Sequence, residues 1–99
     1  MITFYRIASI APGKTASAIG FAQEIAGYMK STYGTEPEVM MPVGGNPMRI
    51  GWATRYKDLA ALDAVAGKLP ADTKYWEIVG KATDYFIAGS IQDSIWRTL

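Results

Sequence analysis

Arginines and tryptophans supply most of the chemistry open to this chain. Arg6, Arg49, Trp52, Arg55, Tyr56, Trp96 and Arg97 are candidates to line a polar, aromatic pocket, with Phe4 near Arg6 and Asn46 in a glycine-rich turn. The chain has no histidine and no cysteine, so the usual base of a nucleophilic triad is missing and thiolate chemistry is excluded. Zinc and haem proteins usually draw their ligands from those same two residue types. Asp58, Asp63, Asp72, Asp84 and Asp93 are dispersed, so no carboxylate metal site is expected either. No cofactor is expected. Tyr, Lys, Glu or Asp could serve as acid or base, but no spacing selects a pair.

Several residues of the candidate set, and two aromatics outside it, have a plainer reading. Arg49, Arg55 and Arg97 read more simply as solvated strand ends, and Trp76, Tyr75 and Trp96 as core. Gly13-Lys14-Thr15 lies between a strand and a helix, where a phosphate-binding loop would end. That loop needs a glycine five residues earlier, where Ala8 stands. Gly51-Trp52-Ala53 echoes an RNA-binding signature. There, however, Ile50 replaces a basic residue and Thr54 an aromatic one.

The elements that must position these residues follow from the pattern. Met1 to Ile10 reads as a strand closed by Ala11-Pro12-Gly13. Thr15 to Tyr33 carries apolar residues round half a helix, with Gly34 as its C-terminal cap and Thr15 or Ser17 capping its start. Gly20 and Gly27 fall on its polar half. A short strand spans Glu38 to Val43, and Gly44-Gly45-Asn46-Pro47 should close a hairpin with Met48 to Tyr56. Asp58 offers an N-cap to a helix that Pro70 ends or kinks, and a further helix runs from Asp72 toward Phe86. Ile91 to Leu99 is the last strand.

The order is βαββαβ. It predicts one α+β, ferredoxin-like domain over residues 1–99: a four-stranded antiparallel sheet with its helices on one face. Burying an unpaired arginine under helices costs several kcal/mol, so Arg6, with Phe4 and Ala8, is expected on the bare face. A chain that is 49% hydrophobic and only 99 residues long has little core in which to hide that face. A second copy is its simplest cover, which predicts a homodimer. Net charge is +1, with no basic stripe for nucleic acid. No stretch is apolar enough for a membrane span, and the cytoplasm is the expected location.

The phrases Ile10-Ala11-Pro12-Gly13-Lys14, Trp52-Ala53-Thr54-Arg55-Tyr56-Lys57-Asp58-Leu59, Tyr75-Trp76 and Gly89-Ser90-Ile91-Gln92-Asp93 resemble the dimeric α/β-barrel superfamily. The nearest likeness is to its NIPSNAP-like and antibiotic-biosynthesis-monooxygenase-like groups. The resemblance implies two sheets paired face to face about a cavity. Some members oxidise polycyclic aromatic substrates without a cofactor; others degrade haem or cleave chlorite. Members that use histidine are not models for this chain. The cofactor-free monooxygenases are closer, and Trp52, Asn46 and Arg6 could play their substrate-binding parts, although no catalytic motif matches residue by residue. Three functions follow as expectations. The first is a homodimer whose pocket takes a small aromatic or amphipathic ligand, between sheet and helices or between sheets, lined by Phe4, Arg6, Asn46, Trp52 and Trp96. The second is a cofactor-independent monooxygenase acting on a polyphenolic compound. The third is a structural or regulatory dimer with a filled interface.

Overall fold

Alternation along the first strand decides which side of the sheet the helices cover. The computed structural model describes all of residues 1–99. In it β1 (Ile2–Ser9) pairs antiparallel with β3 (Arg49–Tyr56) on one side and with β4 (Gln92–Arg97) on the other. The short β2 (Glu38–Met40) joins β3, so the strand order is β2-β3-β1-β4. This is the expected four-stranded antiparallel α+β sheet. Ala8 lies opposite Ile50, Arg6 opposite Trp52 and Phe4 opposite Thr54. Ile50 packs with Ile10, Ala18 and Ala22 in the core, so the even-numbered residues of β1 and β3 all point toward the helices.

That register overturns the expected placement of Arg6, Phe4 and Ala8 on the bare face. The expectation assumed that Arg6 would be unpaired. Instead Asp93 stands opposite it on β4, and the carboxylate neutralises the guanidinium where it lies, which removes the objection to the helix side.

The helix α1 (Thr15–Tyr33) has the expected bounds. Ala18 and Ala22 are fully buried beneath it, and their small side chains let its backbone approach the sheet closely. Gly34 ends it in the left-handed conformation, φ 72°, with its N–H donated to the Lys30 carbonyl. The expected cap at the other end is absent: Lys14 takes the cap position, and no side chain bonds there. Gly20 and Gly27 are exposed surface residues, as expected.

Asp58 does cap α2 (Leu59–Ala66), accepting from the Ala61 N–H at 2.8 Å. Pro70 sits in a 3-10 turn, Leu69–Ala71, that ends this helical run. Asp72 then caps α3 (Thr73–Gly80). This helix is shorter than its apolar spacing suggested, because a second 3-10 turn, Thr83–Tyr85, leads out to Phe86, which bridges Ile10. β2 is shorter too: it stops at Met40, ahead of Pro42, and Pro37 precedes it. Its connection to β3, residues 41–48, is therefore wider than a tight hairpin.

The helices do not reach β4. All six of its residues are exposed, on both faces of the sheet. No helix is long and apolar enough to cross a membrane.

Candidate functional site

Where the helix layer stops short of β4, it leaves a shelf of sheet bearing Phe4, Arg6, Asp93 and Ile95. Arg6 dominates it. Its Nε and Nη2 donate to the two oxygens of Asp93, each at 2.8 Å, a bidentate fork that fixes the guanidinium plane. Both side chains stay partly open, at 36% and 39% exposure. The guanidinium carbon lies 5.6 Å from the centre of the Phe4 ring, within cation–π range. Hydrogen bonding to Asp93 raises the Arg6 pKa above its ordinary value, against an opposing effect of burial. The Tyr75 hydroxyl, from α3, adds to that field.

Trp52 forms the inner wall. Its Nε1 donates to the Ala22 carbonyl of α1 at 3.2 Å, which locks the indole under the helix. Phe21 meets it edge-on with ring centres 6.2 Å apart, and Phe86 closes the group at 6.3 Å. The shelf thus runs from a rigid aromatic cluster at Trp52 to an open ion pair at Arg6. Chemically it can stack a flat apolar body and offer a cation to an electron-rich oxygen.

A second polar cluster sets the position of α3. Tyr28 donates its hydroxyl to both oxygens of Asp72, at 2.7 and 2.6 Å, and Tyr33 donates to the same carboxylate. The Tyr75 N–H donates to Asp72 at 3.0 Å. The end of α1 is thereby pinned to the start of α3, three residues before Tyr75. Hydrogen bonds from Tyr28 and Tyr33 hold the Asp72 carboxyl below its usual range, and the same carboxylate pushes the Tyr33 phenol up to about 12.

Three of the five expected site residues, Phe4, Arg6 and Trp52, therefore share one surface. The other two stand apart. Trp96 is opposite Thr3 and points to the bare face, 64% exposed, with its Nε1 donated to Ser94. Asn46 lies in the 41–48 connection, beyond the end of the sheet marked by the Ser9–Arg49 pair, where its side chain accepts the Met48 N–H at 2.9 Å. Asp93, Tyr75 and Phe86 were not among the expected site residues: Tyr75 read as core and Asp93 as one of several dispersed acids. Asp93 was within reach: once β4 is placed beside β1, a mid-strand arginine calls for an acid across the ladder. Two hollows lie elsewhere: one of about 440 Å³ is lined by Tyr33, Glu38, Arg55 and Tyr56, and a more open one by Pro70 and Trp76. Neither contains any of the five.

No family profile matches the chain, and no curated protein matches it. Solved structures do. A NIPSNAP-domain protein from Burkholderia xenovorans superposes with a TM-score of 0.83 at 15% identity, over 100% of this chain and 95% of its own. A NIPSNAP-family protein from Agrobacterium tumefaciens gives 0.81 at 16%, over 99% and 92%. An antibiotic-biosynthesis-monooxygenase-like protein from Nitrosomonas europaea gives 0.75 at 17%, over 100% and 99%. At these identities the likeness is one of fold. The chain has the ferredoxin-like α+β fold shared by NIPSNAP-domain and antibiotic-biosynthesis-monooxygenase-like proteins.

Proposed function

We propose that the protein is a cytoplasmic homodimer that binds a small aromatic or amphipathic molecule on the shelf between its sheet and its helices. The observation that carries this reading is the half-open Arg6–Asp93 fork beside Phe4, backed by the fixed Trp52 indole. A guanidinium held in a plane next to aromatic faces suits a flat ligand with an oxygen at its edge. The homodimer reading draws support from the opposite face, where Tyr5, Ile7, Met40 and Trp96 present apolar surface with no helix over it.

The test is titration with an anilinonaphthalene sulfonate dye and a panel of hydroxylated aromatics, followed through tryptophan emission. Binding should weaken at least tenfold in Arg6→Ala and stay unchanged in Trp96→Ala, which lies on the other face. Equal affinity in wild type and Arg6→Ala removes the site.

The second reading, cofactor-independent oxidation of a polyphenolic compound, is favoured by Arg6 and Trp52 sharing one surface. Oxygen uptake with anthrone- or quinol-type substrates, lost in Arg6→Ala, would support it; no uptake with any of them counts against it.

A further inference from the structure

The outer edge of β4 is an open hydrogen-bonding ladder. β4 lies at the end of the sheet, pairs only with β1, and contains neither proline nor lysine to block a newcomer. The Thr98 N–H is donated to Met1. By the alternation of an antiparallel ladder, Trp96 and Ser94 also turn their backbone groups inward, while Asp93, Ile95 and Arg97 turn theirs outward. The same three residues carry their side chains on the helix side, where Asp93 already holds Arg6.

We infer that β4 pairs antiparallel with β4 of a second copy of this chain, in a two-fold register centred on Ile95. Charge selects that register. With Ile95 opposite itself, Asp93 of each copy faces Arg97 of the other, giving two ion pairs and one apolar contact. Centring on Asp93 would set two carboxylates against each other, and centring on Ser94 would leave Asp93 facing Ile95. Like charges directly opposite in a ladder are unfavourable and opposite charges favourable. The pairing also covers Ile95, which is 52% exposed in the single chain.

The second copy thereby adds to the ligand shelf. Asp93 comes to lie between Arg6 of its own chain and the partner subunit's Arg97, so the neutral Arg6–Asp93 pair becomes a triad of net charge +1. An oxygen-rich, anionic edge on a ligand is favoured by that change. The interface uses the strand edge and leaves the bare sheet face free. It therefore stands or falls independently of the face-to-face homodimer and of ligand binding.

The chain has no cysteine, which makes the register directly testable. In a hydrogen-bonded antiparallel pair, opposed Cα atoms are about 5.5 Å apart, within the usual span of a disulfide. Under mild oxidation at micromolar concentration, Ile95→Cys should give a reducible covalent dimer, while Ile91→Cys, on the same face but far from its own copy, should stay single. Arg97→Glu, which faces Asp93 with a second acid, should lose one association step in sedimentation, and Arg97→Lys should keep it. Trp96→Ala should leave the Ile95→Cys cross-link intact. No cross-link at Ile95, equal cross-linking at Ile91, or a mixed Ile95–Ile91 product each overturns the register. Unchanged sedimentation of Arg97→Glu overturns the interface.

Discussion

Arg6 and Trp52 are direct cross-strand neighbours on β1 and β3, so whatever side of the sheet one takes, the other shares. Trp52 is committed to the helix side by its bond to Ala22. Arg6 is carried there with it, and Asp93 makes the position tolerable.

The Arg6–Asp93 pair should behave as a partly solvated bridge. A double-mutant cycle with Arg6→Met and Asp93→Asn should give a coupling of about 1 kcal/mol or less in urea unfolding, falling with added salt. A coupling several times larger, unaffected by salt, would mean the shelf is closed to water.

Trp52 should matter more for packing than for its one hydrogen bond. Trp52→Phe should cost about 1 kcal/mol for the lost donor. Trp52→Ala, which also opens space between Phe21 and Phe86, should cost about 3 kcal/mol. Chemical denaturation followed by circular dichroism distinguishes the two.

The pinning of α3 should show in two pH windows. Asp72 is more acidic folded than unfolded, so its contribution is complete above the unfolded carboxyl pKa and is lost as the pH falls through the folded value. Tyr33 is raised to about 12, so its contribution is complete below the unfolded phenol pKa, near 10, and is lost as the pH climbs through 12. Asp72→Asn should flatten both slopes. It should also return the late-titrating tyrosine absorbance toward ordinary values. A tyrosine titration identical in the variant would contradict the shared carboxylate.

Gly34 should resist substitution although no neighbour crowds it. Its left-handed φ costs an L residue roughly 1–2 kcal/mol, so Gly34→Ala should lower stability by about 1 kcal/mol and Gly34→Asn by less. Thermal unfolding of the three proteins is the measurement.

Much of this architecture is written in local patterns. The Gly34 cap, the Asp58 cap and the break at Pro70 each follow from a single residue acting over one turn, while α1 takes the bounds its apolar period gave it without the side-chain cap expected at its start. The single four-stranded antiparallel sheet, too, followed from the order of elements along the chain. What local pattern could not supply was the identity of the two sheet faces. Both sides of β1 mix apolar and polar residues, and the choice rested on whether Arg6 had a partner. That partner, Asp93, is almost the whole chain away. The same gap hid Tyr75 and the joint hold of Tyr28 and Tyr33 on Asp72. Each depends on how far apart α1 and α3 come to rest. Asn46 stands apart from the shelf for another reason: an asparagine in a turn bonds the nearby backbone first, here the Met48 N–H.

The prolines at positions 37 and 42 bracket a β2 of only three residues. An incoming strand finds too few free amides there to hold on. Strand addition is thereby confined to the β4 edge, so a β4-to-β4 pairing would leave no second edge of comparable length for further strands to join.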